Sequence, residues 1–304
     1  MDQKSSLTER FEENRPRLRG VAYRMLGSLS EAEDAVQEAW LRLNRSDAAT
    51  IEHLGGWLTT VVSRVCLDML RSRTSRREEP IDPTVKERRA IQGQGADPEG
   101  EAVLADSVGV ALLVVLNTLT PAERLAFVLH DLFAVPFDEI GAIIGKSPGA
   151  AKQLASRARR RVRGSPAPTD AGRDRQREVV DAFLRAARAG DFEGLLAVLD
   201  PDAVLRIDAA ARVDGVVRVD APAAEAGMAR EVKGAAIWVR QMLALSRGLG
   251  SVEAVLIDGS VGLILAPRGK LLRALTFTIS DARITRVEAI GDPARLRELD
   301  ITVL

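Results

Sequence analysis

The sequence predicts a multi-domain chain: two all-α units followed by an α+β unit built on an antiparallel sheet. Three observations carry this. Apolar residues recur at three- and four-residue spacing over 7–77 and again over 102–163. Stretches rich in Pro, Gly and charge, 78–101 and 164–173, interrupt that pattern and read as linkers. From 174 to 304 helical patterns give way to strand-like runs separated by turn pairs. At 304 residues, 46% of them hydrophobic, the chain exceeds one small core. Aromatics are only 4%, so the cores are expected to be Leu, Val, Ile and Ala.

In the first unit, LTERFEENRPRLRGVAYRML and SEAEDAVQEAWLRL place Val21, Met25 and Leu26, then Ala35, Val36, Ala39, Trp40 and Leu43, on apolar faces. Ser30-Glu-Ala-Glu33 has the form of a capping box and predicts a helix start near residue 31. NRSDAATIEHLGG breaks the period and reads as a loop. GWLTTVVSRVCLDMLRSR then forms a helix that turns from apolar to basic.

The second unit has sharper punctuation. Thr120-Pro-Ala-Glu123 is a capping box with Pro at the first helical position, opening a helix expected to run through Phe133. PFDEIGAIIG ends at Gly145, and SPGAAKQLASRARRRV opens with Ser147 as N-cap and Pro148 at N1. Two helices meeting across Gly145-Lys146-Ser147 make a helix-turn-helix. In the third unit, helices are expected at 174–189 and about 232–246. The strands are expected at SVEAVLI, VGLILA, LLRALTFTI and RITRVEAI, with turns at Asp258-Gly259, Arg268-Gly269 and Ser280-Asp281.

Charge is uneven in a chain of zero net charge. Residues 64–77 hold five basic residues against Asp68, and residues 121–165 hold eight basic against four acidic. From Lys152 to Arg163 there are six Lys or Arg and no acid. Residues 81–108 are acidic, and from Asp170 onward 19 basic face 20 acidic residues. Two basic patches in the first half suggest a polyanion held at two places. One cysteine, Cys66, excludes an internal disulfide and fits a reducing compartment. The N-terminus has no apolar core of a secretory signal, and no run approaches a membrane span. The expectation is a soluble, cytoplasmic protein with no cofactor, no metal site and no membrane partner.

On the helix from 148, Ala151, Ala155, Ala158 and Val162 form an apolar stripe of small residues suited to close packing. The other face presents Ala150, Gln153, Arg157 and Arg160, flanked by Lys146, Lys152 and Arg161. Gln and Arg can read base edges in the major groove, while peripheral Lys and Arg hold phosphates. The helix N-terminus with Ser147 can receive a phosphate oxygen. A basic run alone is usually a solvated face; the preceding helix, the turn and the stripe favour DNA binding.

TPAERLAFVLHDLFAVPFDEIGAIIGKSPGAAKQLASRARRRVR resembles region 4 of extracytoplasmic-function sigma factors of the sigma-70 family. GSLSEAEDAVQEAWLRL with GGWLTTVVSRVCLDMLRSRTSRRE resembles their region 2. The tail from 174 resembles a SnoaL-like cone, an extension some members carry. The resemblance divides the chain into region 2 (7–77), a linker (78–101), region 4 (102–163), a linker (164–173) and a SnoaL-like regulatory domain (174–304).

It implies a promoter-recognition subunit whose partners are core RNA polymerase and promoter DNA. Region 2 would dock polymerase through Asp34, Gln37, Glu38 and Arg42, on one exposed helix face, with Val36, Trp40 and Leu43 inward. The alternative for that face is solvated i,i+4 ion pairing such as Glu38 with Arg42. The following loop would capture an unstacked −10 base with Asn44, Arg45, His53 and Trp57, Trp57 serving either as core or as stacking platform. Arg64, Arg71, Arg73, Arg76 and Arg77 would neutralise DNA backbone. Region 4 would read the −35 element.

SnoaL-like enzymes use pocket Asp and His, yet 170–304 holds no His, Cys or Tyr. Catalysis is therefore not expected. The resemblance instead implies a regulatory tail in contact with the sigma core. Its DGGGK-like loop stands here as DAAAR, with Asp208 and Arg212, and its NPDKL-like segment as Asp292-Pro-Ala-Arg-Leu296. A WLPEP-type motif is absent, EEPIDPT standing near its place. A pocket ligand, if any, is not specified. Two other classes compete: a helix-turn-helix regulator with a ligand-sensing tail, in which the first unit has no role, and a cyclase- or isomerase-like enzyme with a DNA-binding half. Promoter-dependent initiation with sigma-free core polymerase separates them.

Overall fold

The computed structural model describes residues 2–46, 51–75, 109–163, 170–208, 230–243 and 252–304. These fall into two compact units. One holds everything described up to residue 75, Gly109, and Val115–Val162; the other holds Val110–Val114 and the described residues from Arg163 onward.

The first unit begins with α1 (Asp2–Leu26), α2 (Leu29–Arg45) and α3 (Leu54–Ser75), which pack pairwise. Leu18, Val21 and Met25 of α1, Val36 and Leu43 of α2, and Leu58, Val62 and Leu67 of α3 are buried. Each contributes roughly 1.5–3 kcal/mol by leaving water. Gly27, at φ 74°, closes α1 in the left-handed conformation that glycine adopts without strain.

The start of α2 departs from expectation. The helix begins at Leu29, with Ser28 as N-cap, and Ser28 makes no side-chain cap bond. Glu33 does not close a box on Ser30; its carboxylate pairs with Arg15 (3.2 Å) and Arg19 (2.9 Å) of α1. Burial of Leu29 draws the start earlier, and the interhelical ion pairs take the carboxylate a capping box would need.

The helix α4 (Val110–Thr118) leads to α5 (Pro121–Phe127), and here the expected capping box is present. The segment continues as a π turn, Val128–Leu132, so the expected helix through Phe133 is α-helical only in its first half. Next, α6 (Phe137–Ile144) ends at Gly145, φ 69°, and α7 (Pro148–Arg163) follows. A Cβ on Gly141 would stand 2.7 Å from the carbonyl oxygen of Lys146, so the turn folds onto a bare backbone.

The second unit places helices against a seven-stranded sheet. Its elements are α8 (Asp170–Ala189), α9 (Phe192–Val198), β1 (Leu199–Ile207), β2 (Arg230–Lys233), α10 (Ala235–Leu243), β3 (Val252–Ile257), β4 (Ser260–Leu265), β5 (Arg273–Ser280), β6 (Arg283–Ile290), α11 (Pro293–Glu298) and β7 (Ile301–Thr302). The order is β2-β1-β6-β5-β4-β3-β7. Every pairing is antiparallel except β1 with β6, which run parallel with Leu205 opposite Val287. The α+β class holds, with the sheet mostly rather than wholly antiparallel.

Val180 and Phe183 of α8, Leu195 of α9 and Trp238 of α10 pack on Leu205, Leu263 and Val287. The Phe183 and Trp238 rings stack with centroids 5.6 Å apart. Asp258-Gly259, both at positive φ, form the expected two-residue hairpin turn between β3 and β4. The next hairpin turns on Asp281-Ala282, one residue beyond the expected Ser280-Asp281, because Ser280 pairs with Arg283 in the ladder. The expected helix at 232–246 is split into β2 and the shorter α10, Gly234 at φ 95° separating them. In the same unit the N–H groups of Val110 and Ala111 donate to the Glu253 carboxylate on β3, at 2.8 and 2.7 Å.

Candidate nucleic-acid and polymerase interfaces

The local sequence builds the α6–turn–α7 unit in three steps. Gly145 reverses the chain, the Ser147 hydroxyl accepts the N–H of Ala150 (3.2 Å), and Pro148 starts α7 with a preset φ. Ala151, Leu154, Ala155, Ala158 and Val162 are buried. Lys146, Ser147, Lys152, Gln153, Arg157, Arg160 and Arg161 are exposed and Ala150 half-buried, so the stripe and the basic face divide as the periodicity predicts. The face can donate to base edges and phosphates.

Sequence reasoning left one feature of this face unseen. Glu123 of α5, in the capping box with Thr120, also pairs with Arg157 (3.2 Å) and Arg161 (3.3 Å) of α7. A second tie joins Arg159 to Asp131 at 2.5 Å. The neighbouring Arg124 is buried too. Its Nε donates to the carbonyl of Arg24 (2.9 Å) and its Nη1 to Asn117 (2.6 Å). Burial, with Arg73 nearby, pushes its pKa down to about 10. Neither role is visible in sequence, because each partner lies on another helix.

On α2, Asp34, Gln37 and Arg42 are exposed and Glu38 half-buried, on the face away from Val36 and Leu43. Glu38 and Arg42 form the anticipated i,i+4 ion pair at 2.8 Å. Trp40, expected inward, is only partly buried, its ring 4.8 Å from that of Phe11. Leu41 is exposed beside the polar face.

Among the candidates for −10 contact, Asn44, Arg45 and His53 are exposed and Trp57 is partly buried. Asn44 donates to the carbonyl of Trp40 at 3.0 Å. Residues 47–50 between them lie outside the described residues. Of the basic helix end, Arg71 is exposed, and Arg64, also exposed, donates to the carbonyl of Ala142 (3.4 Å). Arg73 is half-buried, pairs with Glu31 and donates to the carbonyl of Leu26, so it also ties α3 to the start of α2. Arg76 and Arg77 lie outside the described residues.

In the second unit Asp208 is buried, and its Oδ2 accepts the N–H groups of Gly291 (2.9 Å) and Asp292 (3.0 Å). Arg295 lies 3.9 Å from the same oxygen and pairs with Glu288 at 2.8 Å. Asp292 caps α11 by accepting from Ala294 and Arg295, both at 2.9 Å. Asp208, the first residue of DAAAR, therefore meets the start of the DPARL stretch, distant in sequence. Arg212 lies outside the described residues, as do 76–108 and 164–169, which contain EEPIDPT and most of both linkers. Among the described residues no His, Cys, Asp and Glu cluster could hold a metal, and no helix is long and apolar enough to cross a membrane.

Comparison with known proteins decides the family. Residues 10–76 match Sigma-70 region 2 and residues 109–162 match Sigma-70, region 4. Over 93% of this chain and 91% of the relative, the sequence is 37% identical to the ECF RNA polymerase sigma factor SigJ of Mycobacterium tuberculosis (strain ATCC 25618 / H37Rv). The chain belongs to the ECF RNA polymerase sigma factors. This sigma factor is also 38% identical to the probable ECF RNA polymerase sigma factor SigI of the same organism, over 68% of its own length and 72% of the relative's. A crystal structure of the M. tuberculosis SigJ covers 95% of this chain and 98% of its own, at 32% identity and a TM-score of 0.43. Regions 2 and 4 together fit promoter recognition, and the α+β unit follows them as a C-terminal extension.

Proposed function

We propose that α7 of this sigma factor reads the −35 element, that the loop between α2 and α3 with the basic residues of α3 engages the −10 element, and that Asp34, Gln37, Glu38 and Arg42 dock core RNA polymerase. The carrying observation is the division of α7 into a buried stripe of small residues and an exposed face of Gln153, Arg157 and Arg160 rimmed by Lys146, Lys152 and Arg161. Such a face, N-capped by Ser147, matches major-groove docking in shape and donor chemistry. The −10 contact rests on exposed Asn44, Arg45 and His53 beside a partly buried Trp57, with Arg64 and Arg71 supplying positive charge. Arg73 contributes charge while held by Glu31.

The C-terminal α+β unit modulates this activity rather than catalysing a reaction. It offers no His, Cys or Tyr for proton transfer at neutral pH. Modulation through contact with the sigma core is what the resemblance of the tail implies. Two units of one chain meet at an effective concentration of about millimolar, so even a weak contact is populated. The sigma factor works in the cytoplasm, with polymerase.

The test is photocrosslinking in the holoenzyme on a promoter selected from random sequence. A photoreactive residue replacing Gln153 is expected to label −35 duplex, and one replacing His53 the −10 strand. Exchanged or absent labelling contradicts the assignment. Truncation after residue 166 is expected to change transcript yield while the selected promoter is still chosen; unchanged yield over a range of protein concentrations removes the regulatory role.

A further inference from the structure

Glu123 is only 5% exposed, yet it faces two cations on another helix. Its Oε2 accepts the Thr120 hydroxyl at 2.8 Å and the Thr120 N–H at 3.2 Å, which completes the capping box. The same oxygen lies 3.3 Å from Nη1 of Arg161, while Oε1 lies 3.2 Å from Nε of Arg157. A buried carboxylate needs such partners to offset its lost hydration. The arginines stand one turn apart on α7, and each keeps more than half of its side chain exposed, 53% and 54%. Arg161 donates a hydrogen bond to Glu123 from Nη1, whereas Arg157 approaches Glu123 as an ion pair, nearest at Nε.

Two consequences follow from that geometry. A carboxylate beside Nε narrows the positions open to the Arg157 guanidinium, and a base edge is read by donors held in a defined position. A carboxylate beside two arginines also offsets part of their attraction for phosphate, which is the sequence-independent component of DNA binding. Both effects raise discrimination without adding a contact.

We propose that Glu123 is a positioning residue for the −35 contact: it orients Arg157 and offsets the nonspecific pull of Arg157 and Arg161. The proposal rests on α7 being the −35 reader.

The experiment uses the full chain in holoenzyme with core polymerase. The probes are a duplex selected by the wild type from a pool randomised over the −35 window and a scrambled duplex, at several salt concentrations. Glu123→Gln keeps an acceptor and a donor for the capping box, so its melting temperature is expected to stay near that of the wild type. Its binding to scrambled duplex is expected to tighten, with a salt slope steeper by about one. Its matched-to-scrambled ratio is expected to fall about tenfold. Adding Arg157→Ala to Glu123→Gln should lower that ratio no further.

Thr120→Ala, which removes the box hydroxyl, is expected to lower the melting temperature and leave the ratio alone, separating capping from positioning. If Arg157→Ala loses the ratio while Glu123→Gln keeps it, or if the two losses add, the positioning role is overturned. If selection yields no preferred sequence, or Arg157→Ala leaves the ratio unchanged, the −35 reading of α7 fails and the proposal with it.

Discussion

Asp208, the residue after β1, accepts the backbone N–H of Asp292 on its Oδ2 at 3.0 Å, tying two segments 84 residues apart. The same oxygen accepts the N–H of Gly291, and Asp292 in turn caps α11. One buried carboxylate thus fixes the end of β1, the end of β6 and the start of the last helix. Asp208→Ala is expected to leave two N–H groups without this acceptor, a cost of about 1–3 kcal/mol. Asp208→Asn, which retains an oxygen acceptor, should cost less. Thermal unfolding of the full chain measures both, and equal melting temperatures for Asp208→Ala and wild type would contradict this role.

Polymerase docking can be separated from helix stability on α2. Glu38 and Arg42 form an exposed ion pair whose loss costs about 0.3–0.5 kcal/mol. Glu38→Lys should therefore barely change folding but weaken association with core polymerase. The charge-swapped double variant, Glu38→Lys with Arg42→Glu, restores an ion pair and should remain weak. Recovery of core binding in the double variant would mean that the pair stabilises the helix and does not dock.

On the −35 face, Gln153 and Lys152 are expected to differ in kind. Gln153→Ala should relax sequence preference at one position by about 1–3 kcal/mol. Lys152→Ala should weaken binding to every duplex about equally and reduce the salt slope by about one. Holoenzyme titrations on matched and scrambled −35 duplexes distinguish these outcomes.

Cys66 is fully buried, and burial pushes its thiol up to about 12 from 9.0. The native protein should resist alkylation at pH 8 and react fully once denatured. The raised pKa also has a sign: between pH 9 and 12 the folded state keeps a proton that the unfolded state releases. This contribution is intact below about pH 9 and is lost as the pH rises through about 12. Cys66→Ala should flatten that alkaline decline in urea midpoints.

What the sequence revealed was mostly local. The Thr120–Glu123 box, the Gly145 turn, the Ser147 cap and the small-residue stripe of α7 each follow from residues within a few positions of one another. The Ser30 box failed because Glu33 had distant partners in Arg15 and Arg19. Strand β1, LDPDAVLRI, carries Asp200, Pro201 and Asp202 directly after its first residue and pairs in parallel with β6, whose partner residues lie some 80 positions away. The link between Glu123 and the two arginines was hidden for the same reason, since the capping box already explained why a Glu stands there. In sequence Asp208 stood only as the first residue of DAAAR; its partners Gly291 and Asp292 are brought to it by the fold.

The most direct measurement is in vitro transcription with core RNA polymerase free of any sigma factor, on templates carrying a promoter selected from random sequence. The full chain is expected to direct transcripts from one start site, sensitive to changes at both −35 and −10. Arg157→Ala should lose −35 sensitivity, and Glu38→Lys should lose transcription by failing to bind core. No promoter-dependent transcript from the full chain, or transcripts indifferent to both elements, would contradict the account.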